Sequence, residues 1–457
     1  MSCFKFQVPS YRFEISGFRF CASILTGLLL CPLTALSQEA RAVTLEEAVR
    51  LGIENSKTLH ASLMDVDTAV ARYDAARAAL LPGLKFTGDY AYLSDVPEFS
   101  LQTPPPDSQR IVIVPSINNT YQFRLSAQQP LYTGGRLEGS EKAAALNALA
   151  GRQDLARETH QLAYQIKAAY WELHRTGEML RVVEDNISRM EAHLQDVKNL
   201  LAEGMATTND ILKAETQLSA VRLMRVDARN GLEISRMALN NVLGLPLDMR
   251  LGLATPLPES FQNPGEPDAA VREALQNRPE LQAGDLRLKA AETAVKVAGA
   301  DKLPQVFLSG GYTSARPNAR YFPGEDRFHE TWDVGVGISL NLWDWKSTDL
   351  KVRQAQYQAE KARDTLGTVQ DGVRLEVRTA ALQFQGAVDK LAESALGVRQ
   401  AEENRRVTKE RFHEELVTSS EVLDAEVALL QAELQRTQAR VDAALALAAL
   451  DRAVGRE

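Results

Sequence analysis

Residues 415–426 read ELVTSSEVLDAE, and residues 204–215 read GMATTNDILKAE. Both run from a hydroxyl-rich stretch into an acid, two aliphatics, a charged residue, Ala and Glu. They lie 211 positions apart, and that offset extends well beyond them. PLYTGGR (130–136) meets NLWDWKS (341–347) at 211, as do Thr207 and Thr418, Asp210 and Glu421, Leu212 and Leu423, and Gly244 and Gly455. Nearer the N-terminus, TLEEAVRLGIENSKTLHA (44–61) meets EPDAAVREALQNRPELQA (266–283) at 222, and Leu81-Pro82 meets Leu303-Pro304 at the same distance. The eleven-residue change falls between Pro82 and Pro130. A fixed offset on both sides of one indel identifies a tandem duplication.

The expected organisation is a first repeat over 38–244, an inter-repeat linker over 245–267 and a second repeat over 268–457. Each repeat predicts a helix (44–80; 268–302) that stops at Leu-Pro, where proline resists continuation. Two strand-like segments follow, separated by a loop. Then come a very long helix (136–203; 347–414), a short break and another helix (208–243; 419–454). Nearly seventy residues at 1.5 Å each is roughly 100 Å of helix, which needs lateral partners. The fold class is therefore mainly α with a small β part, on coiled-coil-like helices.

Composition removes several functions. The net charge is −8 with no basic tract, which argues against nucleic acid as a partner. The N-terminal Lys5, Arg12 and Arg19 precede the apolar run 21–36, and small residues at Ala35 and Ser37 suit a signal-peptidase site. Residues 1–37 thus read as a signal peptide. Leu30, a bulky residue in front of Cys31, argues against lipidation there. Cys3, Cys21 and Cys31 are the only cysteines, so the mature chain is expected to lack thiol and disulfide chemistry. The six histidines show no i, i+4 pairing, and no nucleophile elbow or phosphate-binding loop occurs. No catalytic site, metal or cofactor is expected.

No segment after the leader offers about 18 uninterrupted apolar residues, so a membrane role would fall to strands. KFTGDYAYL (85–93), TYQFRLSAQQPL (120–131), VFLSGGYTS (306–314) and TWDVGVGISLNL (331–342) alternate with period two. In the last, Trp332, Val334, Val336 and Ile338 share one face while Asp333, Gly335, Gly337 and Ser339 share the other. Alternation with aromatics near strand ends fits an outer-membrane barrel strand, and equally a half-buried soluble sheet. Four strands cannot close a barrel, because membrane barrels start at about eight, so lipid-facing strands would require oligomerisation. Tyr132, Trp343 and Trp345 stand at the strand-to-helix junctions, where an interfacial aromatic girdle would lie.

The order and spacing of these motifs resemble the TolC-type outer-membrane efflux proteins over nearly all of the chain after the leader. The resemblance rests on both repeats, on PLYTGGR, and on GMATTNDIL and LVTSSEVLDAE at the helix breaks. It implies a homotrimer with four transmembrane strands per protomer, a twelve-stranded barrel in outer-membrane lipid and a periplasmic helical tunnel. It also implies a periplasmic adaptor (membrane fusion) protein and an inner-membrane pump as partners, and localisation in the outer membrane. The function implied is a passive exit duct of a tripartite efflux system. A duct for type I protein secretion is the alternative, and a periplasmic coiled-coil adaptor a more distant one. The sequence departs from the family pattern at Glu415, where glycine is usual, and at Trp345-Lys346, which replace Gly134-Gly135.

The two breaks carry the candidate site residues. Thr207 with Asp210, and Thr418 with Glu421, each fit a capping box, a hydroxyl N-cap with an acid at N3. Capping explains those acids without a transport role. Asp424 lies beyond the first helical turn, and its counterpart is Lys213, so folding of the repeat does not require an acid there. By resemblance, Glu421 and Asp424 match paired acids that line the narrowest opening, and Arg440 matches a residue of the polar links that close the tip. A closing link between Asp210 and Arg440 is the resulting expectation.

Overall fold

The computed structural model describes residues 41–106, 108–261 and 265–456. The signal-peptide reading, its cleavage site and Cys31 lie outside the described residues. In chain order the elements are β1 (Arg41–Val43), α1 (Leu45–Asn55), α2 (Lys57–Ala78), β2 (Gly83–Tyr92), β3 (Phe99–Gln102), β4 (Arg110–Val114), β5 (Asn119–Tyr132), α3 (Arg136–Ala202) and α4 (Thr208–Val242). There follow β6 (Leu251–Leu253), α5 (Pro267–Asn277), α6 (Pro279–Gly299), β7 (Gln305–Arg316), β8 (His329–Ser339), α7 (Ser347–His413) and α8 (Ser419–Val454). The long helices α3 and α7 are 67 residues each, and both end within a residue of the position expected from sequence.

Each repeat's first helix differs from expectation: it is broken once. In the first repeat Ser56 leaves the helical region (φ −70°, ψ 115°) and its hydroxyl caps α2 by accepting the Leu59 N–H at 3.1 Å. In the second, Pro279 at the start of α6 disfavours a helical residue before it, and Arg278 is extended (φ −65°, ψ 125°). The segment after α4 adds a short strand, β6. It pairs in parallel with β1 (Arg41↔Leu251, Val43↔Leu253). Tyr170, fully buried on α3, holds that pair in place: its hydroxyl donates to the Val43 carbonyl and accepts the Thr255 N–H, both at 3.0 Å. Ile166, Leu239 and Leu243 pack around it with less than 2 % exposure, each contributing about 1.5–3 kcal/mol of burial.

The main sheet is antiparallel in the order β2-β5-β7-β8. Its register lines the apolar residues into rows across the strands: Phe86↔Leu125, Leu125↔Tyr312 and Tyr312↔Trp332 form one continuous row. That face is bare, with Phe86, Val334 and Ile338 67 %, 69 % and 72 % exposed. The opposite face is polar. On it, the Arg124 guanidinium meets both carboxylate oxygens of Asp333 at 3.2 Å, above Gly311. The loop between β2 and β5 contains a second hairpin, β3 against β4, which the β-branched run RIVIV (110–114) supports. Leu93 N–H donates to Asn118 O at 2.7 Å and Val96 N–H to Ser116 Oγ at 3.2 Å, so this hairpin prolongs the β2–β5 ladder.

The duplication is visible in the backbone. Gly134 and Gly135 have φ of 64° and 83°, and Trp345 and Lys346 repeat that left-handed pair at 54° and 65°.

Candidate functional site: the two helix turns

The α3–α4 and α7–α8 turns are built by the same hydrogen bonds. After α3, Gly204 N–H donates to Leu201 O at 3.0 Å and Met205 N–H to Leu200 O at 2.8 Å. After α7, Glu415 N–H donates to Phe412 O at 3.0 Å and Leu416 N–H to Arg411 O at 2.9 Å. This is a Schellman closure, which requires a left-handed residue at its centre. Gly204 supplies it at φ 79°, and Glu415 adopts it at φ 64°. A side chain there costs about 1 kcal/mol relative to glycine.

Both following helices start with a hydroxyl and an acid. Thr207 N–H and Oγ donate to Asp210 Oδ2 at 3.0 and 2.6 Å, and Asp210 N–H donates back to Thr207 Oγ at 3.3 Å. The Thr207 hydroxyl, then its N–H, hold the Asp210 carboxyl below the usual carboxylate range. Thr418 N–H and Oγ both donate to Glu421 Oε1 at 3.2 Å.

The second turn is tied to the first repeat. His193 of α3, buried at 4 % exposure, meets Ser419 Oγ through Nε2 at 2.9 Å and sets its ring edge-on to Phe412 at 5.2 Å. Burial pushes the His193 imidazole below its ordinary value. Lys213 of α4 donates to Ser420 Oγ at 3.0 Å. A groove of about 450 Å³ runs between α4 and α8, lined by Leu212, Lys213, Thr216, Ser420, Leu423 and Asp424 among others. Lys213 and Asp424, the pair that distinguishes the repeats, therefore share one groove. Glu421 and Asp424 are both exposed on α8, while Val422 and Leu423 between them and Ala425 after them are buried.

Residues 49–245 and 270–456 each match the profile described as outer membrane efflux protein. The chain belongs to the outer membrane efflux protein family. Among curated relatives, outer membrane efflux protein BepC of Brucella suis is 24 % identical over 96 % of this chain and 91 % of its own length. Outer membrane protein TolC of Vibrio cholerae is 23 % identical over 93 % of each chain. Alkaline protease secretion protein AprF of Pseudomonas aeruginosa is 23 % identical over 92 % of this chain and 86 % of its own. Among solved structures, the outer membrane protein VceC of Vibrio cholerae superposes with a TM-score of 0.74 at 18 % identity, covering 90 % of this chain and 96 % of that one. CusC superposes at 0.75 and 17 % identity over 92 % and 95 %. These structures share the fold.

Within that fold the structure relocates one expected residue. Arg440 is not at either turn: it lies 22 residues beyond Thr418 on α8, about 33 Å along the axis, and donates to Leu257 O at 2.9 Å. No bond joins it to Asp210, whose carboxylate is taken up by Thr207. The expected Asp210–Arg440 link is therefore absent from the chain as described, and Arg440 fastens α8 to the inter-repeat segment. Tyr132, Trp343 and Trp345 stand exposed at the strand-to-helix junctions, the two tryptophans edge-to-face at 5.7 Å. Among the described residues no group of three or more His, Cys, Asp or Glu is placed to hold a metal, and no helix is long and apolar enough to cross a membrane.

Sequence reasoning missed Glu426. It is 2 % exposed, with Oε2 at 3.2 Å from Arg189 Nε of α3 and Oε1 at 2.5 Å from Arg405 Nε of α7. Arg189 continues to Glu433 at 2.8 Å. The available signal was its setting: Val422, Leu423, Leu429 and Leu430, three and four positions to either side, are all apolar.

Proposed function

We propose that the chain is the outer-membrane exit duct of a tripartite efflux system, working as a homotrimer. The single observation that carries this reading is the sheet: its apolar face is bare and its two edge strands, β2 and β8, have no outer partner among the described residues. In lipid an unpaired strand edge leaves backbone groups unsatisfied at several kcal/mol each. Pairing β8 of one copy with β2 of the next removes every edge, and three four-stranded sheets supply a twelve-stranded wall. Tyr132, Trp343 and Trp345 then take the interfacial girdle facing outer-membrane lipid. The 67-residue helices α3 and α7 project about 100 Å from the barrel as the tunnel. The duct has no energy source of its own, so an inner-membrane pump drives cargo and a periplasmic adaptor joins pump to duct.

The α3–α4 and α7–α8 turns form the inner opening in this reading. Glu421 and Asp424, exposed side by side on α8, would give six carboxylates about the trimer axis and attract cations. In planar bilayers the purified trimer is expected to conduct with cation preference and to be blocked by multivalent cations. Asp424→Asn is expected to lower both effects, and unaltered selectivity in that variant removes Asp424 from the opening. Protein secretion is the second reading, favoured by the likeness to AprF. A deletion strain separates the two: hypersensitivity to small toxic compounds supports efflux, and loss of a secreted protein without it supports secretion.

A further inference from the structure

We propose that Glu426 is the positioning residue of the inner opening: clamped between Arg189 and Arg405, it fixes the rotation of α8 and thereby aims Glu421 and Asp424. The inference rests on the duct reading above.

Helix geometry supplies the first premise. At about 100° per residue, Asp424 and Glu421 stand about 160° and 140° around α8 from Glu426, on its far side. Whatever fixes the azimuth of Glu426 therefore fixes that of both exposed acids. The contacts supply the second premise. Arg189 approaches from α3 and Arg405 from α7, and α8 packs against both helices. Two guanidinium groups from different neighbours, on different oxygens of one carboxylate, resist rotation of α8 in either sense. The Glu426 carbonyl also accepts from Asn186 Nδ2 of α3 at 3.4 Å.

The repeat supplies the third premise. Glu426 and Glu215 are equivalent residues, yet Glu215 is 47 % exposed and, among the described residues, pairs with Lys198 of its own repeat at 3.4 Å. At the places of Arg189 and Arg405 the other repeat has Gln400 and Leu194. The same turn thus forms without the cluster, so the cluster is not a requirement of the fold. Burying a carboxylate is costly, and replacing such a cluster by apolar side chains is commonly neutral for stability. Its presence only on the helix that carries Glu421 and Asp424 points to a role in placing them.

The test is reversal potential under a KCl gradient in planar bilayers, at temperatures well below the melting transition. Glu426→Gln keeps the shape and removes the charge. It is expected to lower the cation-to-anion permeability ratio about threefold although Glu421 and Asp424 are intact. Glu426→Asp, which retains the charge, is expected to recover most of the loss. In a Glu421→Gln/Asp424→Asn background, Glu426→Gln is expected to change nothing further, because its effect passes through those acids. If Glu426→Gln does not assemble, Arg405→Gln carries the test, being 28 % exposed at the rim of the cluster. Wild-type selectivity in the assembling variant, or a loss that persists in full without Glu421 and Asp424, overturns the proposal. A wild-type chain that forms no pore overturns the duct reading itself, an outcome distinct from either.

Discussion

The α3–α4 and α7–α8 turns share a backbone and differ in what surrounds it. Each closes with the same pair of hydrogen bonds, each restarts with a hydroxyl bonded to an acid, and each passes through one left-handed residue. The first turn uses glycine at that residue, an exposed Glu215–Lys198 pair and no buried charge among these groups. The second uses Glu415 in the left-handed position, a buried Glu426 between two arginines, and a buried histidine bonded to Ser419. Local hydrogen-bonding chemistry is enough to make such a turn. The additions to the second turn bind it to a neighbouring repeat and leave its own closure unchanged.

The sharpest way to break this contrast is to remove the equivalent glutamates. Glu426→Leu leaves Arg189 and Arg405 without their shared carboxylate and is expected to cost about 3–5 kcal/mol. Glu215→Leu breaks only an exposed pair and is expected to cost less than about 1 kcal/mol. Chemical denaturation of the detergent-solubilised protein measures both, and equal costs would erase the distinction. The caps should behave alike instead: Thr207→Ala and Thr418→Ala are each expected to cost about 1 kcal/mol, read as faster amide exchange in the first turn of α4 and of α8. A cap that matters in one turn only would show that the closures are not equivalent.

The left-handed residue sharpens the contrast by having opposite signs. Glu415→Gly is expected to stabilise by about 1 kcal/mol and Gly204→Ala to destabilise by a similar amount, seen as opposite shifts in melting temperature. The smallest effect is pH dependence. Because burial depresses the His193 value, the neutral ring's contribution is complete above the ordinary value of 6.5 and is lost as pH falls below it. Asp196 on its own helix, Glu426 on α8 and Lys409 on α7 are the charges that face it. Melting temperature should therefore drop on acidification, and His193→Gln should flatten the drop. The first turn has no counterpart, since Asn404 stands exposed at the equivalent place.

Much of this was legible in the sequence, because a duplication checks itself: a turn at 204 requires one at 415, and both long helices end where the offsets put them. Alternation likewise located all four strands of the main sheet. What stayed hidden were pairings between distant residues. Glu426 and Glu215 are the same letter in the same motif, and the three-dimensional approach of Arg189, 237 positions away, and of Arg405 separates their roles. The break at Arg278 was signalled by Pro279, whereas the one at Ser56 depends on a hydroxyl cap that many non-breaking serines could equally offer. Arg440 is a different lesson. Counting residues from Thr418 was enough to place it far up the helix, and resemblance alone had drawn it down to the tip.

Both long helices contain 67 residues, while the stretch from Pro82 to Pro130, which holds the loop between β2 and β5, is eleven residues longer than its second-repeat counterpart from Pro304 to Asn341. The two repeats thus differ in length around the strand loops and match in the long helices. A heptad inserted into α3 alone would push the first turn about 10 Å beyond the second, and Lys213 could no longer reach Ser420. Inserted into α3 and α7 together, with matching heptads in α4 and α8, it would lengthen the shaft and keep the turns level. Viable length variants of this chain should therefore arise as coordinated multiples in all four helices, which makes the shaft a caliper that can be reset only in paired steps.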